Sequence, residues 1–212
     1  MNSSPNTFAG YYRASVIRPK TTFANLLQDK NALRFAMIAV SVTAILYTFV
    51  YIFLILGGGQ PFKPWLNIPE NIYYHYNVFF CAPSMFLGWI LASGVTHLVS
   101  RLFTTAGRFE QVLCVFAFGI SISSWTTGAH DLVTSFLGAF HFISQHDYEL
   151  KLNSPTVWRT LLWILMVAYL VWFIVLFSVG VKSVYKLRAG QSFLLGVVRF
   201  VIYQLFFLIF NR

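Results

Sequence analysis

Five apolar runs constrain this chain before any other feature does. They occupy residues 35–56, 78–100, 111–125, 161–181 and 192–210. A helix rising 1.5 Å per residue needs roughly 20 apolar residues to cross a hydrocarbon core of about 30 Å. Four runs meet that length easily. The expected fold class is all-α, a polytopic helical membrane bundle of five transmembrane helices. Hydrophobic residues make up 58% of the chain and charged residues only 10%, well below the roughly 25% of a soluble domain. Residues 1–30 read as a cytoplasmic N-terminal segment and 31–212 as one transmembrane domain.

The net charge of +9 invites a nucleic-acid reading, but its placement argues against one. Arg13, Arg18, Lys20, Lys30 and Arg34 precede the first run. Arg101 and Arg108 separate the second from the third, and Lys182, Lys186 and Arg188 the fourth from the fifth. Only Lys63, Lys151, Arg159 and Arg212 fall in the alternate loops and the C-terminus. Cations in short loops mark the cytoplasmic side. The N-terminus is therefore expected inside and the C-terminus outside. The basic excess is an orientation signal and an attraction to anionic headgroups. No arginine–aromatic motif for nucleic acid accompanies it.

The polar first thirty residues lack the apolar core of a cleavable signal, so the first span is expected to direct insertion. Within that segment Thr22 is a candidate cap for a short helix. Phe23, Leu26 and Leu27 would share one face and lie against the headgroups, or else the segment is an ordinary ordered tail. The first outer loop, 57–77, opens with three glycines and carries Pro61, Pro64 and Pro69. Trp65, Tyr73, Tyr74 and Tyr76 there fit an interfacial aromatic belt.

The second run carries a four-residue repeat of small side chains: Ser84, Gly88, Ala92, Thr96 and Ser100. Such a stripe admits a close helix neighbour, within the bundle or in a homo-oligomer. Pro83 above it is a kink site. The third run is interrupted by Thr126, Thr127, Gly128, Ala129, His130 and Asp131 before apolar sequence resumes at 132–143. Two full spans there would invert the charge bias. A single span is expected, broken or thinned near Gly128 and followed by an outer-face helix or partial re-entrant helix.

Residues that could carry chemistry are few. There is no phosphate loop, zinc-helix motif or nucleophile elbow. No catalytic set, cofactor site or metal site is expected. His75 has no second ligand at helical spacing, and Cys81 and Cys114 would sit too far apart for a disulfide. Ionisable groups inside spans are functional candidates by default. Three occur here: His97, with Ser93 four residues before it, Asp131 beside His130, and Arg199. They could form a polar path. The plainer expectation is that His97 bonds within the bundle, Asp131 is wet, and Arg199 snorkels or bonds backbone carbonyls.

Three phrases resemble the Ypt/Rab-interacting protein (YIP) family of membrane proteins, in its bacterial form. They are RPKTTFANLL at 18–27, AGRFEQVLCVFAFGIS at 106–121 and GVKSVYKLRAGQSF at 180–193. The resemblance implies five spans, a cytoplasmic N-terminus and a bacterial inner membrane. It also implies kinship with eukaryotic members that act in vesicle trafficking and bind prenylated Rab-type GTPases. This chain lacks their long N-terminal region and their Asp-Leu-Tyr-Gly-Pro phrase, so no binding residue is carried over.

The sequence thus points to a non-enzymatic membrane protein that organises membrane or binds membrane-protein partners. The small-residue face and the basic loops, with Arg101, Arg108, Lys182, Lys186 and Arg188, would be its working surfaces. The alternative is a transporter or channel component using His97, Asp131 and Arg199.

Overall fold

Each apolar run becomes a helix, and three short helices join them. The computed structural model describes residues 7–61 and 65–211. Lys63, Pro64 and Arg212 lie outside the described residues. In chain order the helices are α1 (Phe8–Ile17), α2 (Pro19–Leu26), α3 (Ala32–Leu56), α4 (Glu70–Ser100), α5 (Phe109–Ala139), α6 (Gln145–Asn153), α7 (Val157–Tyr185) and α8 (Ala189–Asn211). Of these, α3, α4, α5, α7 and α8 are long and apolar enough to cross a membrane.

The long helices run up and down between two ends. One end gathers the basic segments and is called here the basic end; the other is the far end. α3 and α5 run parallel and in register: Leu46 meets Gly128, and Phe53 packs edge-on against Phe136. α7 returns antiparallel to α5, with Phe177 beside Phe116. α8 is antiparallel to both α4 and α7. Gly196 meets Ser178 of α7, while Tyr203 and Phe206 meet Gly88 of α4.

α5 is the central helix. Of its most apolar 18-residue window 83% is buried, against 22–44% for the other four spans. That position explains why its sequence is the least lipid-like. A helix walled by protein can carry small and polar residues where a lipid-facing one cannot. At Gly119 an added Cβ would stand 2.9 Å from the Phe177 ring, and at Gly128 2.9 Å from Leu46 Cδ2.

The same burial corrects the expected break near Gly128. α5 continues without interruption to Ala139. Its hydroxyls bond back onto their own helix: Ser124 Oγ to Ile120 O (2.8 Å), Thr126 Oγ1 to Ser123 O (2.7 Å) and Thr134 Oγ1 to His130 O (3.0 Å). Their hydroxyls are thus satisfied within the helix, an arrangement that bends or slightly weakens a helix but does not break it. An outer helix does follow, α6, inside the segment read as a polar loop.

The N-terminal segment differs more. α1 was not anticipated, and α2 starts earlier than Thr22. Pro19 occupies the first turn, where its missing N–H costs nothing, and Thr22 Oγ1 donates to Arg18 O (2.8 Å) instead of capping. Phe23 and Leu26 are fully buried in the protein core, not laid against headgroups. α2 packs on α7 and α5, and α1 packs on α5. Tyr12 Oη meets Ser121 Oγ (2.8 Å) and accepts from Trp125 Nε1 (2.8 Å), so α1 covers polar atoms on the side of the central helix.

The first loop is also shorter than expected, because α4 begins at Glu70 and takes in the tyrosines. Tyr73 is fully buried and so does not belong to an interfacial belt, while the partly exposed Tyr74 stacks on Tyr51. α4 runs past Pro83 as one helix. Cys81 and Cys114 are buried free thiols.

All five stripe residues, Ser84, Gly88, Ala92, Thr96 and Ser100, are buried. A Cβ at Gly88 would already sit 3.4 Å from Phe206 Cβ and 3.5 Å from Tyr203. Gly88→Leu is expected to destabilise the bundle by about 1–3 kcal/mol through overpacking. Leu87→Ile, on a residue 51% exposed, should change little. Thermal melting in detergent with protease resistance measures both; equal tolerance would show that α4 and α8 do not pack through Gly88.

Candidate functional site

Three places in the bundle gather polar side chains. At the far end a cleft of about 820 Å³ opens between α3, α5, α6, α7 and α8. Tyr47, Thr127, His130, Asp131, Tyr169 and Gln204 line its inner part. Tyr169 Oη donates to Gln204 Oε1 (2.9 Å), and Tyr47 Oη lies 3.4 Å from Thr127 Oγ1.

His130 is held from both sides. Its Nδ1 is 3.0 Å from Asp131 Oδ1 and its Nε2 is 2.7 Å from Tyr148 Oη. Burial, and then the Asp131 charge, pushes the Tyr148 phenol up to about 12. A carboxylate can only accept, so Nδ1 donates to Asp131, and when the imidazole carries a single proton Nε2 accepts from the Tyr148 hydroxyl.

Arg199 occupies the second place. It is fully buried among α4, α5, α7 and α8. It lies level with Phe177, five residues from the exposed Lys182, so roughly 8 Å further into the span by helical rise. The guanidinium rests directly over the Phe116 ring, with Phe177 5.0 Å away. Nη2 donates to Ser93 Oγ (2.7 Å), and that hydroxyl donates on to Trp89 O (2.6 Å). Nε and Nη1 have no hydrogen-bond partner. Among the described residues no carboxylate pairs with Arg199. A buried cation thus relies on one hydroxyl and an aromatic face. It neither snorkels nor reaches a backbone carbonyl, which corrects the sequence expectation. The reason is its position: the α8 face that carries Arg199 is sealed by three helices.

The third place is the basic end. His97 Nδ1 meets Tyr185 Oη at 2.7 Å, while its Nε2 lies 3.3 Å from Arg101 Nη2. Arginine can only donate, so Nε2 accepts and Nδ1 donates to the phenol. Ser93, four residues before His97 on α4, serves Arg199 instead. Arg101 Nη2 also donates to Gly107 O (3.1 Å) and so ties down the α4–α5 turn. Arg108, Lys182, Lys186 and Arg188 are exposed. The two basic turns are built alike. Gln111 Oε1 accepts from Arg108 N (2.9 Å) and Gln191 Oε1 from Arg188 N (3.2 Å).

The three intramembrane candidates are not brought together. Asp131 lies fifteen residues along α5 from Phe116, so roughly 22 Å from the Arg199 level. Between them is an aromatic layer in which Tyr203 stacks on Phe173 and Phe207. His97 and Arg199 do share one end, with α4 carrying both His97 and the Ser93 that Arg199 bonds. Sequence reasoning missed Tyr148, Tyr169, Gln204, Phe116 and Tyr185. Tyr169 and Gln204 were detectable as polar interruptions of apolar runs, but nothing in the order of residues pairs them. His75 is exposed. Among the described residues no three His, Cys, Asp or Glu side chains are grouped to hold a metal.

Comparison with known proteins gives one match. A family model described as the Yip1 domain fits residues 13–210. No curated protein and no solved structure matches the chain.

The seating of Arg199 can be tested directly. Replacing a buried ion by an apolar residue of similar volume is often neutral, or stabilising by about 1–4 kcal/mol. Arg199→Met should therefore hold or raise the melting temperature in detergent. Arg199→Glu, which sets a carboxylate against the Phe116 face, should prevent recovery of folded protein. A marked loss of stability in Arg199→Met would show that the Ser93–Phe116 seat is net stabilising.

Proposed function

The chain belongs to the Yip1-domain family of integral membrane proteins, and on that premise we propose that it is a non-enzymatic membrane organiser whose working surface is the basic end. That end faces the cytoplasm in this reading. It contacts anionic headgroups and holds acidic segments of membrane-protein partners. A bacterial inner membrane is its proposed location.

One observation carries the reading. Ten cations are exposed in its segments: Arg13, Arg18, Lys20, Lys30 and Arg34 before α3, Arg101 and Arg108 between α4 and α5, Lys182 in the last helical turn of α7, and Lys186 and Arg188 between α7 and α8. None is in an ion pair among the described residues. Exposed apolar side chains stand among them: Ile17 is 65% exposed and Leu102 80%. Apolar tips flanked by unpaired cations suit the boundary between headgroups and acyl chains. Each cation near an anionic surface adds about 1 kcal/mol of attraction. The tight turns, fixed by Gln111 and Gln191, hold part of this charge in a set array, which favours specificity toward acidic partners.

A second reading, transport, draws on the polar cleft at the far end. Asp131 and His130 lie at depth there, where ionisable groups mark solute or proton paths. The aromatic layer of Phe173, Tyr203 and Phe207 stands between that cleft and the His97–Arg199 region, so transport requires those rings to move. An organiser requires no such opening, and it is the reading favoured here.

Orientation comes first among the tests. A reporter active only outside the cytoplasm should be active after Arg212 and silent after Arg108; activity after Arg108 would place the basic end outside and end the proposal. For function, Lys182→Gln, Lys186→Gln and Arg188→Gln together should weaken crosslinked partner recovery from native membranes, with orientation and melting unchanged. His97→Ala and Asp131→Asn should leave recovery intact. If protein in liposomes moved a solute or protons, and Asp131→Asn stopped that flux, the transport reading would replace this one.

A further inference from the structure

Two cavities share a wall at the far end. A groove of about 450 Å³ runs beside α6, with Val133, Leu137, Ile143 and Trp158 on its apolar sides. The larger cleft lies behind it. His130, Thr134 and Tyr148 line both spaces. The Tyr148–His130 bond is therefore a partition between the two.

The chemistry of the larger cleft is one-sided. Tyr47, Tyr51, Tyr74, Trp163 and Tyr169 bring aromatic rings to its wall. Asp131 and Glu149 bring carboxylates. Asp131 keeps 37% of its side chain exposed while its one ion-pair partner is a histidine. Glu149 Oε1 accepts from Gln145 Nε2 (3.0 Å) and from the Gln60 backbone (3.3 Å), neutral donors that leave its charge uncompensated. The single strong cation on the lining is Arg159, which is exposed and donates to Asn153 O (3.4 Å). Aromatic faces and carboxylates together attract organic cations and repel anions.

Size and access add to this. The volume falls within the roughly 300–1,000 Å³ usual for small-molecule sites. Leu162, Met166 and Leu208 supply apolar wall beside the polar groups. Trp163 is 60% exposed and Met166 45%, so the wall reaches the surface that lipid would cover. A ligand here meets charge at one part of the cleft and an apolar, bilayer-facing wall at another.

We propose that this cleft binds a membrane-borne amphiphile with an ammonium head. The head sits among the tyrosines between Asp131 and Glu149, and the apolar body lies along Leu162, Met166 and Leu208. The site is separate from the basic end and does not depend on the organiser reading. The ammonium could belong to an aminophospholipid, whose phosphate Arg159 would meet, or to a simple organic cation.

Native mass spectrometry of the delipidated full chain tests this with three probes: phosphatidylethanolamine, phosphatidylglycerol of matched chains, and dodecyltrimethylammonium below its micellar concentration. Phosphatidylethanolamine should be retained about fivefold or more over phosphatidylglycerol. Asp131→Asn and Glu149→Gln should each cut that retention by about fivefold with melting unchanged. Dodecyltrimethylammonium should follow the same two variants. If Arg159→Gln lowers only phosphatidylethanolamine, the natural occupant is the phospholipid; if it lowers neither probe, the ammonium alone is read. Should Asp131→Asn fail to fold, Glu149→Gln on the short outer helix and Leu208→Trp, which fills the cleft, carry the test. Equal retention of phosphatidylglycerol, or retention unmoved by Glu149→Gln and Leu208→Trp, would overturn the proposal.

Discussion

Polar atoms in a bilayer must find partners inside the protein, and that constraint organises this bundle. Lipid offers no hydrogen bonds, so the helix richest in Ser, Thr and Gly is driven to the centre. α5 takes that place because α3, α4 and α7, with the short α1 and α2, can wall it in. Ser124, Thr126 and Thr134 return their hydroxyls to α5 carbonyls, Ser121 and Thr127 turn to Tyr12 and Tyr47, and Gly119 and Gly128 admit Phe177 and Leu46 at close range. α1 completes the enclosure by setting the Tyr12 hydroxyl against Ser121 and Trp125.

The same constraint divides the molecule into two unlike halves. In the basic half α5 and α7 meet through Phe116, Phe177, Val115 and Gly180. That tight packing buries Arg199 with a single hydroxyl partner. In the far half, α6 and the cleft occupy the space between α5 and α7. Carboxylates and tyrosines line what the tighter half would have filled with rings. Charge is thus distributed by packing density. Where helices close, one cation is trapped; where they part, acids stay wet and reachable.

The fold class and four of the spans were readable from length and composition, since about 20 apolar residues suffice to cross a bilayer; the count of five also needed the charge bias, because the run at 111–125 is short. The Lys and Arg bias likewise exists in the linear sequence. Errors arose where a local pattern was interpreted without its neighbours. Gly128 and the adjoining Thr, His and Asp resemble a break, yet they belong to a helix that protein covers. Phe23 and Leu26 resemble a lipid-facing stripe, yet α7 takes them into the core. Tyr73 resembles part of a belt, yet the packing of α4 buries it completely.

The candidate sites divide the same way. The sequence by itself determined which residues are costly in a membrane: His97, Asp131 and Arg199 stand out because ionisable groups are rare there. It also indicated that Arg108, Lys186 and Arg188 lie in short turns; Lys182, read there too, belongs to the last helical turn of α7. Only the tertiary structure decided their partners. Ser93 is one helical turn from His97 in sequence, but rotation of α4 against α8 gives it to Arg199. Tyr148 and Tyr185 reach the two histidines from other helices, at sequence separations of 18 and 88. Cost is a property of one residue in one solvent, whereas partnership depends on the rotation and register of helices that no local sequence pattern specifies.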